Sequence, residues 1–83
     1  MPSFTLYSRS YCHLCDDMLL QLQQYLDDAE IPIAVVDVDA DEELLTQFDE
    51  LVPVLYGQKE GAEAKQICHY FLDLEQLKTF LND

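Results

Sequence analysis

Tryptophan is absent from this chain, and basic charge nearly so: 4 lysines and arginines face 17 acids, a net charge of −13. Nucleic acid and anionic membrane surfaces both require positive charge on a protein, so neither is an expected partner. The simplest use of the acidic excess is solubility, and the sharper use is a partner with a basic surface. No apolar run approaches the roughly 18 residues that a membrane-spanning helix needs. No basic segment with an apolar stretch and a small-residue cleavage site opens the chain. A secretory signal is therefore not expected, and the cytoplasm is the expected compartment. Cysteine is scarce and odd in number, at 3. Small secreted scaffolds carry an even set of bridges, so a disulfide-stapled domain is not the expected class. Repeats, low-complexity tracts and linkers are missing as well. The 83 residues fit a single domain, 1–83, and 49% hydrophobic content suffices for a small core.

What remains alternates between two periods. Ser3 to Tyr7, with Phe4-Thr5-Leu6-Tyr7 after the serine, reads as a first strand. From His13 to about Asp28 apolar residues recur at Leu14, Met18, Leu22, Tyr25 and Ala29, with Cys15, Leu19 and Leu26 beside them. Steps of three and four predict an amphipathic helix. Ile31 to Asp39 is β-branched and reads as a second strand, largely buried and parallel to the first, closing a βαβ unit. Asp41-Glu42-Glu43 opens a short helix through about Phe48, the acids serving as cap and solvated surface. Val52 to Gly57 is a third strand, with a proline tolerated at its start. Gln58 to Lys65 is a charged hairpin turn. Gln66 to Leu72 is a fourth strand, with Ile67, His69 and Phe71 on one face and Cys68, Tyr70 and Leu72 on the other. Asp73 caps a terminal helix in which Leu74, Leu77, Lys78 and Leu81 recur. The order β-α-β-α-β-β-α predicts an α/β fold, a mixed four-stranded sheet with helices on both faces.

The chemistry concentrates in Cys12-His13-Leu14-Cys15, where the first strand gives way to the first helix. Two cysteines at this spacing in a loop would be half of a zinc site. At a helix N-terminus they form a redox device. The reactive species is the thiolate, so something must lower the pKa of Cys12. The helix end does so with free N–H groups and its dipole. Arg9, the single arginine, stands three residues earlier, and His13 lies inside the motif. Asp16, Asp17 and the overall negative field act in opposition. Contact range makes the helix end the dominant influence. Cys15, one turn on and more buried, suits a resolving thiol that attacks the mixed disulfide made by Cys12. In this topology the start of strand three lies beside the start of helix one. A cis Val52-Pro53 bond there would turn the backbone of Val52 toward a substrate.

Leu6-Tyr7-Ser8-Arg9-Ser10-Tyr11-Cys12-His13-Leu14-Cys15 resembles the glutaredoxin active-site segment, with a basic residue three before the first cysteine. Val52-Pro53 resembles that family's cis-proline segment, and the element order matches its form of the thioredoxin fold across essentially the whole chain. The likeness is greatest to short bacterial glutaredoxin-like proteins. The resemblance implies Cys12 as nucleophile, Cys15 as resolving cysteine and a cis bond before Pro53. Arg9, Tyr11, His13, Val52 and Pro53 then become candidate substrate contacts. His13 and Leu14 replace the usual proline and tyrosine. The glycine pair and acid that hold glutathione are also missing, with Tyr70 to Leu74 in their place. Dithiol exchange is therefore the implied reaction more than glutathione use. Thioredoxin fits less well, since it places a tryptophan before its motif.

Cys68 and His69 could join Cys12 and Cys15 as four zinc ligands, but adjacent strand residues point to opposite faces. No metal is expected, with Cys68 a core thiol and His69 partly exposed. Tyr7 reads as core and Tyr11 as a substrate contact. The leading expectation is a thiol–disulfide oxidoreductase with no bound cofactor. Its substrate would be a disulfide-containing protein or small thiol compound, and an external reductant, glutathione among the candidates, would reset it. The rivals are a binding or adaptor module without turnover, and a metal or cluster carrier using the same two cysteines.

Overall fold

The computed structural model describes residues 2–10, 12–26 and 31–82. Strand side chains alternate between faces. In β1 (Ser3–Ser8) this turns Phe4 and Leu6 into one core, at 2% and 1% exposure, while Tyr7 packs on the opposite side. Then follow α1 (His13–Leu26), β2 (Ile33–Asp37), α2 (Glu42–Phe48), β3 (Val54–Gln58), β4 (Lys65–His69) and α3 (Leu74–Asn82), with 3₁₀ turns Val38–Ala40 and Asp49–Leu51 bracketing α2. This is the expected element order. The strands lie in the order β2-β1-β3-β4, with β1 and β2 parallel and the other pairs antiparallel. Phe4, Leu6 and Leu55 meet Met18 and Leu22 of α1 and Leu77 and Phe80 of α3. On the other face Val38, Phe48 and Val54 form a second core, and the ring of Tyr7 stacks on Phe48 at 4.6 Å. Helices therefore cover both faces, two on one side and one on the other.

Several local expectations are corrected. The buried stripe of α1 is Cys15, Met18 and Leu22, with Leu19 and Leu26 beside it. Leu14 and Tyr25, each 39% exposed, lie off the stripe because the helix is rotated toward the cysteine side. The expected extension of this helix through Asp28 and Ala29 falls outside the described residues. Strand β2 is not largely buried: it stands at the sheet edge, paired only with β1, and Val35 is 51% exposed. The third strand begins at Val54 rather than Val52. The face assignment in β4 fails at a bulge. Leu55 pairs with Cys68 and Tyr56 with Gln66, so Ile67 is an extra residue. Ile67 and Cys68 consequently pack against the same core. The strand stops at His69, and Phe71 is 69% exposed. In α3 the buried partner of Leu77 is Phe80, with Lys78 in water.

Candidate active site

Cys12 precedes the first residue of α1. Its carbonyl accepts from the N–H of Asp16 at 3.2 Å, and its sulfur accepts from the N–H of Cys15 at 3.1 Å. These are the two bonds of a helix N-cap residue, with sulfur in the place usually held by oxygen. The first turn of a helix leaves N–H groups without intrahelical partners, and the dipole adds positive potential there. A sulfur held at that point is favoured in its anionic form. Cys12 and Cys15 are joined as a disulfide, with Cα atoms 5.2 Å apart. Their access differs: Cys15 is 3% exposed, whereas Cys12 is half-buried. His13 and Leu14, between them, both face water.

Arg9 directs its guanidinium to two carboxylates. Nη2 meets Asp39 at 3.0 Å and Nη1 meets Asp49 at 3.4 Å. These acids sit in the two 3₁₀ turns that bracket α2. The Val52-Pro53 bond is cis. Pro53 is buried, and its carbonyl accepts from the N–H of Tyr70 at 2.9 Å, tying the start of β3 to the end of β4. Tyr70 in turn shares a groove with Leu14 of the dithiol motif. The residue bonded to the proline segment therefore lines the same groove as the motif helix. Tyr11 lies outside the described residues.

Cys68 is a free, half-buried thiol. Its core position and the exposure of His69, whose ring lies 4.6 Å from that of Tyr70, keep the two apart in role. Among the described residues no three side chains of His, Cys, Asp or Glu converge as a metal site. Sequence reasoning missed the turn after β4. Tyr70 has φ of 65°, and Phe71 N–H donates to the His69 carbonyl at 2.7 Å. His69-Tyr70-Phe71 contains no glycine, asparagine or proline, so it carries no turn signal.

Residues 3–82 match the model of the glutaredoxin-like domain (DUF836). No curated protein matches the chain. Among solved structures, a Nitrosomonas europaea protein determined by solution NMR superposes with a TM-score of 0.82 at 30% identity, over 95% of this chain and 89% of that one. A structural-genomics target from X. campestris gives 0.62 at 26% identity, over 95% of each chain. Mitochondrial thioredoxin 3 from Saccharomyces cerevisiae, in its oxidized form, gives 0.70 at 15% identity, over 99% of this chain and 77% of that one. That last likeness concerns the fold alone.

Proposed function

This chain belongs to the glutaredoxin-like domain family, and on that premise we propose that it is a thiol–disulfide oxidoreductase. The observation that carries the reading is the Cys12–Cys15 disulfide at the N-terminus of α1, with the Cys15 N–H on the Cys12 sulfur. In the reduced protein that N–H and the helix dipole hold Cys12 as a thiolate. The thiolate attacks one sulfur of a substrate disulfide. A Cys12–substrate bond forms, the substrate S–S bond breaks, and one substrate thiolate leaves and takes up a proton. Cys15, deprotonated, then attacks the Cys12 sulfur and expels the second substrate thiolate. The substrate has gained two electrons and the protein is left with the Cys12–Cys15 disulfide. An external dithiol, or two molecules of a monothiol, returns those electrons. The reducing cytoplasm is the compartment this cycle suits.

In this reading Val52 presents its backbone to the substrate chain, and Tyr11 and His13, the sequence neighbours of Cys12, are the candidate side-chain contacts. Arg9 can meet an anionic substrate only by giving up Asp39 or Asp49. Tyr70 to Leu74 stand in the place of the glutathione-holding glycines, which favours a protein dithiol as reductant over glutathione. The test is the alkylation rate of reduced Cys12 against pH, read by mass mapping. The expected midpoint lies below the value of about 8.5 for a free cysteine. Cys12→Ser should abolish disulfide reduction, and Cys15→Ser should accumulate a mixed disulfide. A midpoint at or above the free-thiol value, together with no reduction of any disulfide, rejects the reading.

A further inference from the structure

The turn after β4 holds an aromatic side chain in water on a strained backbone. An i to i+2 hydrogen bond across a residue with φ of 65° marks the rare, strained form of γ-turn. Tyrosine is poorly suited to that region, and a strand needing only to end would use glycine or asparagine. The result is Phe71 at 69%, the most exposed large apolar residue among those described. Around it Leu14, Tyr70 and Leu74 are 39%, 37% and 45% exposed. Single exposed apolar residues need no explanation, but a contiguous set beside a reactive centre does.

Two grooves meet here. One, of about 260 Å³, runs from Leu14 and Asp17 to Tyr70, Phe71 and Leu72. The other, of about 790 Å³, shares Phe71 and Leu72 and continues past Asp73, Leu74 and Glu75. The first thus begins inside the Cys-x-x-Cys motif, and its Tyr70 is bonded to the carbonyl of Pro53. Three carboxylates line the pair, and among the described residues no lysine or arginine does. The single arginine is held by Asp39 and Asp49. An apolar floor with an acidic rim attracts a segment that is apolar and cationic and repels an anion.

We propose that these grooves select the substrate: a protein segment near a disulfide that seats an apolar side chain against Leu14, Tyr70 and Phe71, with lysine or arginine beside it facing Asp17, Asp73 and Glu75. The proposal rests on the redox reading above and names its substrate class. Three probes test it, with dithiothreitol as reductant: a disulfide-linked peptide with phenylalanine between lysines, the same peptide with glutamates for lysines, and 2-hydroxyethyl disulfide. The expected kcat/KM for the basic peptide exceeds that for the acidic one about tenfold or more at low salt, and the two converge as salt rises. In Phe71→Ser the ratio of kcat/KM for the basic peptide to that for 2-hydroxyethyl disulfide should fall about tenfold. Equal rates for the two peptides, or an unchanged ratio in the variant, overturns the proposal. Should wild type reduce none of the three, rates do not read the grooves, and the alkylation midpoint of Cys12 decides the redox reading separately. Docking is then judged from fluorescence anisotropy of a cysteine-free basic peptide on the Cys12→Ser protein. Binding that Phe71→Ser removes supports the grooves, and no binding rejects them.

Discussion

Burial pushes the Cys68 thiol above its ordinary value; a backbone N–H of Asp73 on the sulfur opposes the rise, and the Asp73 charge adds to it. Cys12 is also half-buried and also has an N–H on its sulfur, but it stands at the N-terminus of α1, where the free N–H groups and the dipole favour the anion. Equal side chains thus have unequal reactivity, because the thiolate is the nucleophile. In the oxidised protein, iodoacetamide should label Cys68 more slowly near pH 8 than it labels the unfolded chain. The sign for stability follows. Below the ordinary value both folded and unfolded thiols are neutral. Above it the unfolded thiol ionises first, so the stability Cys68 contributes falls as pH rises through that window. Urea unfolding at pH 7.5 and pH 10 checks this: the gap between wild type and Cys68→Ala should narrow at the higher pH. Gly57 is a second residue-scale case. A Cβ there would lie 2.7 Å from Ile67 Cδ1 and 2.8 Å from two ring atoms of Phe80. Overpacking of this kind costs about 1–3 kcal/mol. Gly57→Ala should lower the urea midpoint accordingly, and an unchanged midpoint would mean that the Phe80 ring moves freely.

At the scale of elements, α2 is anchored in the core by Phe48 and fixed at both ends by polar contacts. Asp41 caps it, accepting from the N–H groups of Glu43 at 2.9 Å and Leu44 at 3.4 Å. Asp37 caps the preceding 3₁₀ turn, and Arg9 ties the turns on either side. The cap satisfies backbone donors and is worth about 1 kcal/mol. The Arg9 pairs are more than a third exposed and worth roughly 0–1 kcal/mol. Asp41→Ala should therefore destabilise more than Arg9→Gln, measured by chemical denaturation. The reverse order would reveal Arg9 as the stronger clamp. The Asp41 and Asp73 caps were legible in the sequence because capping is local chemistry: an acid stands immediately before a periodic apolar run. The dithiol was legible for the same reason, since strand, cysteine and helix are contiguous. Features that depend on distant segments were not. The rotation of α1 toward Cys15 is set by what the sheet offers it. The exposure of Val35 follows from β2 lying at an edge, which no pattern within β2 reveals. The bulge at Ile67 arises from pairing with β3, and it put Ile67 on the same core as Cys68 and Leu72. Arg9 was legible as a charge near the nucleophile but not as the partner of Asp39 and Asp49, which lie far along the chain.

Across the whole molecule the question is whether attraction or repulsion governs the charges. The chain measures 32 × 26 × 20 Å and carries −13. At about 0.01 M salt the screening length is about 30 Å, so nearly every carboxylate acts on every other. At about 0.15 M it falls to about 8 Å, and only neighbours interact. Unfolding moves the charges apart, so repulsion at low salt favours the unfolded chain. Attractive pairs pull the other way, but they need bases, and there are 4 against 17 acids. The two pairs of Arg9 are solvent-accessible and weak. Repulsion therefore wins the comparison. Calorimetry in sodium chloride from about 0.01 to about 0.15 M should show Tm rising by several degrees, since ~1 kcal/mol corresponds to about 4–8 °C in a domain of this size. The same screening should weaken the preference for a basic peptide. One salt titration would thus move stability up and substrate selectivity down. A Tm that fell with salt would show that local pairs, with Arg9 foremost, outweigh the net field.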